Sequence, residues 1–264
     1  MSHLYSGLEQ VQSDSKVSQI IEEIDNLGYS IVESHIDSQF ADQLKEKIKS
    51  IYNSQEEFFG RDVLMSIGDQ DSARNLIKYD PDFLHILNDS LIKNVVSRIL
   101  GSVHTISLCN GILSSSTEEN PQCRWHRDFP YQNFISDELL GLNVFVAIDE
   151  FTIENGATEV IPHSNKFKRL PSEAYINHHA KKAICPKGSL IIFDSMLLHR
   201  AGTNKSDSMR VGLNYNFVRP FIKQQYQNED LENLGFDAIL GRQFFPASDD
   251  INFRNKRVSK LSSR

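Results

Sequence analysis

The sequence predicts a mainly β chain with flanking helices, and three observations carry that expectation. Residues 139–149 form a mostly apolar run of strand-forming residues. Leu190-Ile191-Ile192-Phe193-Asp194 reads as a buried strand by content. Arg210 to Val218 alternates, with Arg210, Gly212, Asn214 and Asn216 on one face and Val211, Leu213, Tyr215 and Phe217 on the other. A polar face backed by an apolar one suits a barrel wall that lines a pocket inside and packs on helices outside.

The elements follow in order. Val17, Ile20, Ile21, Ile24 and Leu27 share a helical face ending at Gly28, which suits a left-handed cap. Residues 29–32 are then a short strand. Asp37 or Ser38 caps the next helix, whose apolar positions are Phe40, Leu44, Ile48 and Ile51. Residues 60–80 are expected to be a mobile loop. Leu91, Val95, Val96, Ile99 and Leu100 repeat the helical pattern and end at Gly101. Past the strand at 139–149, residues 166–182 read as a polar, irregular excursion, and Pro186-Lys187-Gly188-Ser189 as a turn. The expectation is one domain, with helices over about 14–101 buttressing a barrel over about 103–220 and an extension at 221–264.

Composition narrows the class. With 264 residues, 39% hydrophobic and 24% charged, the chain can bury a substantial core. No apolar run nears the ~20 residues that cross a bilayer, and the N-terminus shows no secretion signal, so no membrane partner is expected. Cys109, Cys123 and Cys185 keep no metal spacing, which fits a reducing, cytoplasmic setting. A net charge of -7 argues against nucleic-acid affinity, and the basic residues after Arg254 read as a solvated end. No feature fixes an oligomeric state.

The chemistry is concentrated in Trp125-His126-Arg127-Asp128-Phe129, answered downstream by His199 and Arg210. On a strand His126 and Asp128 point one way and Arg127 the other. Two imidazoles and a carboxylate on one face of an iron leave the opposite positions free, which non-haem Fe(II) oxygenases need for co-substrate and O₂. Arg210 supplies a planar guanidinium able to hold a carboxylate through two parallel hydrogen bonds. A His-x-Asp pair alone is weak: the chain has nine His, and His35-Ile36-Asp37 is a second pair, read as a helix cap. His178-His179 has no carboxylate partner at useful spacing and reads as a solvated pair.

The wider pattern is specific. Trp125, His126 and Asp128, the block Asn155-Gly156-Ala157-Thr158-Glu159-Val160-Ile161-Pro162-His163-Ser164, the strand from Gly188 to Asp194, His199-Arg200-Ala201-Gly202 and the spacing to Arg210 together resemble the phytanoyl-CoA dioxygenase family of Fe(II)/2-oxoglutarate oxygenases. The resemblance implies a double-stranded β-helix (jelly-roll, cupin-like) core, with Fe(II), 2-oxoglutarate and O₂ consumed to give succinate and CO₂. It implies His126, Asp128 and His199 as iron ligands and Arg210 as partner of the far carboxylate of 2-oxoglutarate. Three positions depart from the family pattern: His163 replaces Gly, Asn165 replaces His, and Ala201 replaces a Ser that helps hold 2-oxoglutarate in many members. Halogenating relatives leave the carboxylate position empty; Asp128 fills it, which argues for hydroxylation or a related oxidation.

Further residues are expected around that centre. The Thr158 hydroxyl aligns with a family contact to 2-oxoglutarate. Phe145 either walls the co-substrate pocket or belongs to the core, and Asn110 either donates to 2-oxoglutarate or pins a turn. Gly212 is read as room for a ligand to approach the backbone. Phe129, Tyr131 and Gln132 are substrate-side candidates, ahead of Arg127. The expected activity is oxidation of a small molecule. The alternatives are a cupin-type metalloenzyme using no 2-oxoglutarate and a non-catalytic jelly-roll binding protein.

Overall fold

The computed structural model describes residues 13–116, 121–129 and 134–226. Helix α1 (Lys16–Leu27) starts where the Ser15 hydroxyl accepts from the Ser18 amide, and it buries Ile20 and Ile24. Gly28, at φ 87°, stops it as its position predicts. Strand β1 (Tyr29–Val32) follows. Asp37 caps α2 (Ser38–Phe59) by accepting from the Phe40 amide at 2.9 Å. Next come α3 (Arg61–Ser66), the two-residue β2 (Ser72–Ala73), α4 (Asp82–His85) and α5 (Ser90–Leu100). Asp89 caps α5 through the Ile92 amide, and Ile92, Val95, Val96 and Leu100 are buried.

The remaining elements build two antiparallel sheets. They are β3 (Thr105–Ser114), β4 (Gly141–Ala147), β5 (Glu159–Val160), α6 (Glu173–His179), β6 (Lys181–Lys182), β7 (Leu190–Asp194), β8 (His199–Arg200) and β9 (Arg210–Val218). The larger sheet runs β1-β7-β4-β9-β3-β2 and the smaller β6-β5-β8. The three strands that opened the sequence argument lie side by side as β7, β4 and β9. Val211, Leu213, Tyr215 and Phe217 join Val144, Val146 and the apolar faces of α1, α2 and α5 in the main core. A second cluster, including Phe145, Phe151, Val160, Ile191, Phe193 and Leu197, fills part of the space between the sheets. The jelly-roll expectation is met, and the polar face of β9 looks inward.

Two segments differ from expectation. Within residues 60–80, α3, β2 and a 3-10 turn at Leu76–Lys78 are folded, and residues 69–77 are buried. Polar character misleads there because Arg74 is matched internally, through both its backbone and its side chain. Gln55 donates to the Arg74 carbonyl and accepts from its amide, both at 2.8 Å, while Arg74 pairs with Asp69. The excursion at 166–182 is less irregular than its composition indicates, since Ser172 caps α6 and β6 pairs with β5.

Candidate metal and co-substrate site

His126 and His199 are joined by an isolated antiparallel bridge, each amide donating to the other's carbonyl at 3.0 Å. Two residues on, the Asp128 amide donates to the Ser195 carbonyl at 3.0 Å. This pairing, rather than a continuous strand, sets the alternation that the sequence anticipates. His126 and Asp128 turn to one side; Arg127 turns away, donating through Nη2 to the carbonyls of Ser164 and Phe167, both at 2.8 Å.

The three ligand candidates converge. Asp128 Oδ1 lies 4.0 Å from His126 Nε2 and 3.8 Å from His199 Nε2, and the ligand atoms all fall within 4.8 Å of one another. Among the described residues, this is the one cluster of three or more His, Cys, Asp or Glu with such geometry. Both imidazoles are set by their own backbone: His126 Nδ1 meets the Arg124 carbonyl at 2.7 Å and His199 Nδ1 the Leu197 carbonyl at 3.0 Å. With a proton on each Nδ1, each Nε2 presents a lone pair to the shared space. Burial, then the nearby His126, pushes His199 down to about 4, so it is neutral and ready to ligate at pH 7. Asp128 Oδ2 accepts from Asn143 Nδ2.

A cavity runs from this triad to Arg210, with Phe145, Thr158, Phe193 and Asn214 in its wall. Arg210 is 2% exposed, and its Nε and Nη1 are closed to solvent without an acceptor. Its guanidinium carbon lies 4.1 Å from the centroid of Phe151. Burial pushes its pKa down to about 10, leaving it charged at neutral pH. The cavity therefore has a metal-ligand set at one end and an unpaired cation at the other.

The remaining expectations divide. Thr158 and Phe145 line the cavity, whereas Asn110 spends its Oδ1 on the Asn75 amide at 3.0 Å and pins that left-handed residue. At Gly212 a Cβ would sit 2.5 Å from the Phe145 ring, so the glycine makes room for that wall of the cavity. Phe129 is buried with Met196 and Val218, packed against Gly141. Tyr131 and Gln132 lie outside the described residues, as does the basic tail. His163 takes the left-handed conformation, φ 65°, for which the family's glycine is better suited. Asn165 donates to Asp194 at 2.9 Å, and Ala201 lies in the cavity wall with no hydroxyl to offer.

The second His-x-Asp pair comes apart, since His35 meets Asp89 at 3.0 Å while Asp37 caps α2. His178 and His179 meet edge to face at the end of α6. Asn143 and Gln122 were missed as site residues. Asn143 had a signal in its position two residues before Phe145 on β4; Gln122 had none, because it reaches the cavity from the 3-10 turn at Pro121–Cys123.

Comparison with known proteins agrees with this geometry. A family model described as phytanoyl-CoA dioxygenase (PhyH) matches residues 24–212. Rv1501 of Mycobacterium tuberculosis, an uncharacterized protein, is 32% identical over 221 residues, which is 82% of this chain and 80% of that one. The iron/alpha-ketoglutarate-dependent dioxygenase ausU of Aspergillus calidoustus is 25% identical over 208 residues, covering 74% of this chain and 68% of its own. In structure, the non-heme monooxygenase ThoJ matches with a TM-score of 0.65 at 16% identity, over 93% of this chain and 100% of that one. The non-heme alpha ketoglutarate dependent epimerase SnoN, from nogalamycin biosynthesis, matches with a TM-score of 0.61 at 15% identity, over 89% and 93% of the two chains. Those structural matches speak for the shared fold. The sequence match runs from α1 into β9 and takes in both histidines, Asp128 and Arg210, and by it the chain belongs to the phytanoyl-CoA dioxygenase family.

Proposed function

We propose that this chain is an Fe(II)- and 2-oxoglutarate-dependent oxygenase that hydroxylates, or otherwise oxidises, a small-molecule substrate and releases succinate and CO₂. One observation carries the co-substrate half of the reading. Arg210 is buried and charged, with Nε and Nη1 lacking acceptors, in the same cavity as the triad. An unpaired buried cation costs several kcal/mol, and a dicarboxylate reaching from metal to guanidinium would offset that cost. The donor set supports the metal half, since two imidazoles and one carboxylate suit Fe(II) and leave open positions.

In this reading His126 Nε2, His199 Nε2 and Asp128 Oδ1 hold the iron. Arg210 takes the far carboxylate of 2-oxoglutarate through its guanidinium, and the Thr158 hydroxyl is within the same wall to assist. Iron and 2-oxoglutarate together supply the oxidising power: O₂ is reduced, 2-oxoglutarate becomes succinate and CO₂, and one oxygen atom is available to the substrate. The protein's share is orientation and dryness. Phe145, Phe193 and Ile112 exclude water from the channel between triad and Arg210, which strengthens the ion pair at its end. The Nδ1 contacts of the two histidines stop their rings from turning away. The presence of Asp128 favours oxygenation over halogenation. The substrate side is assigned to Phe129, Tyr131 and Gln132, with the folded excursion at 166–182 as a lid that closes over the substrate.

The test has two stages. Anaerobic addition of 2-oxoglutarate to Fe(II)-loaded protein should give the visible charge-transfer absorption of a chelated 2-oxo acid. No such absorption means the cavity does not take 2-oxoglutarate. Succinate formation is then followed across a panel of small molecules; substrate-dependent turnover that persists with 2-oxoglutarate left out would favour the cupin-type alternative.

A further inference from the structure

We infer that Asn143 is a positioning residue that keeps Asp128 a one-oxygen ligand, and thereby preserves a position on the metal for O₂. The inference rests on the iron reading above. It starts from how unequally the two carboxylate oxygens of Asp128 are treated. Oδ1 faces both histidines, at 4.0 Å and 3.8 Å from their Nε2 atoms. Oδ2 is taken by the Asn143 amide.

Asn143 is itself held. It lies fully buried on the inner face of β4, opposite Asn216 of β9 in register. Asn216 Nδ2 donates to Asn143 Oδ1 at 2.5 Å and to Ser195 Oγ at 2.7 Å. With its oxygen engaged, the Asn143 amide must turn its NH₂ toward Asp128. The Ser195 carbonyl meanwhile receives the Asp128 amide at 3.0 Å. Backbone and carboxylate of Asp128 therefore hang from one group of buried polar side chains. Amides at two facing positions of a sheet interior are costly unless every polar atom has a partner, and here their shared end point is a single carboxylate oxygen.

The coordination arithmetic gives this meaning. An octahedral iron with two imidazoles and one carboxylate oxygen keeps three positions. A 2-oxo acid chelating through two atoms leaves one. If Asp128 swung to bind through both oxygens, the same complex would have none left.

The experiment separates these cases. Wild type, Asn143→Ala and Asn216→Ala are loaded anaerobically with Fe(II) and 2-oxoglutarate, with thermal unfolding recorded for each. Nitric oxide, standing in for O₂, is titrated and its adduct followed by electron paramagnetic resonance. Asn143→Ala should keep the charge-transfer absorption yet bind nitric oxide at least about tenfold more weakly, the scale of one hydrogen bond to a charged group. Asn216→Ala should shift the same way by less. A folded Asn143→Ala that binds nitric oxide like wild type overturns the inference, as does one that loses chelation and nitric oxide together. Should Asn143→Ala not fold, Asn216→Ala decides by the same comparison, unchanged nitric oxide affinity again overturning it. A purely structural role would lower the unfolding temperature without separating the two ligands. Wild type lacking the charge-transfer absorption would instead sink the 2-oxoglutarate reading, and the inference with it.

Discussion

The Arg210 guanidinium carbon sits 4.1 Å from the centre of the Phe151 ring, so an aromatic surface covers one face of the cation and its edge is what remains for an acceptor. Nε and Nη1 lie on different sides of the guanidinium, each forming a fork with Nη2, and both are without partners. A carboxylate approaching in the guanidinium plane would meet two donors at once.

Replacing Arg210 by Lys keeps the charge and loses the fork. The expected result is a rise in the KM for 2-oxoglutarate of roughly ten- to a hundred-fold, since a charge-assisted hydrogen bond contributes about 1.5–3 kcal/mol. Steady-state kinetics with 2-oxoglutarate varied provide the check. An unchanged KM would mean that the carboxylate binds elsewhere.

The same residue makes a prediction about stability. Arg210→Met, which fills the space without a charge, should stabilise the ligand-free protein by about 1–4 kcal/mol, because the unpaired cation no longer has to be buried. It should also abolish the rise in unfolding temperature that 2-oxoglutarate gives the metal-loaded wild type. Denaturant titrations of the two proteins, with and without ligand, read both effects. A destabilised ligand-free Met variant would show that the guanidinium has a partner in solution.

Metal binding should depend on His126, Asp128 and His199 and not on His35. Alanine at any of the three removes a ligand atom, so Fe(II)-dependent turnover should be lost while the far-ultraviolet circular dichroism stays that of wild type. His35→Ala should bind iron normally, since His35 pairs with Asp89, the cap of α5, and is not part of the triad cluster. Full activity in His199→Ala would refute the assignment of the triad.

A pH dependence follows from His199, whose pKa is pushed down to about 4, chiefly by burial. The unfolded chain accepts a proton near pH 6.5, and the folded chain resists it. The stability gained from keeping this ring neutral is therefore complete above about pH 6.5 and fades as pH falls toward 4. Measured on metal-free protein, the stability difference between wild type and His199→Gln should shrink by a few kcal/mol from pH 7 to pH 4. A difference that stays level across that range contradicts the buried, neutral imidazole.

Gly156, in the middle of one motif block, adopts φ 75°, and a Cβ added there would fall 2.3 Å from the Gly202 carbonyl oxygen and 2.8 Å from the Asn204 nitrogen. Those are backbone atoms of the segment following β8, with little freedom to move. Gly156→Ala should cost about 2–4 kcal/mol and weaken Fe(II) binding, because His199 rides on the displaced strand. Chemical denaturation and a metal titration test the two parts separately.

What could be read from the sequence tracks what a single segment can express. The alternation of Arg210 to Val218, the apolar run of β7 and the caps at Gly28 and Asp37 are local signals, and each has its counterpart in the fold. The triad was legible because His126 and Asp128 keep an alternating spacing and His199 ends an apolar run. Residues 69–75 were not, because the backbone groups of Arg74 and Asn75 are taken by the side chains of Gln55 and Asn110, partners that no neighbouring position announces. The need for Gly212 was hidden for a similar reason: the ring that occupies the space belongs to Phe145 on the adjacent strand. Likewise, whether Asn110 met co-substrate or pinned a turn depended on Asn75, well outside its own strand.

The pairing of β1 with β7, Tyr29 opposite Phe193, ties the first strand of the chain to one near its end. Few of the contacts that define the larger sheet are therefore local, and chains of this kind search slowly for their native arrangement. A nascent or truncated chain ending before His199 lacks the bridge to His126, and one ending before Leu190 lacks the partner of β1 as well. It could present two of the three iron ligands but could not gather them into one place. Iron added during refolding should thus be captured in the final kinetic phase, so that metal uptake serves as a clock for completion of the fold.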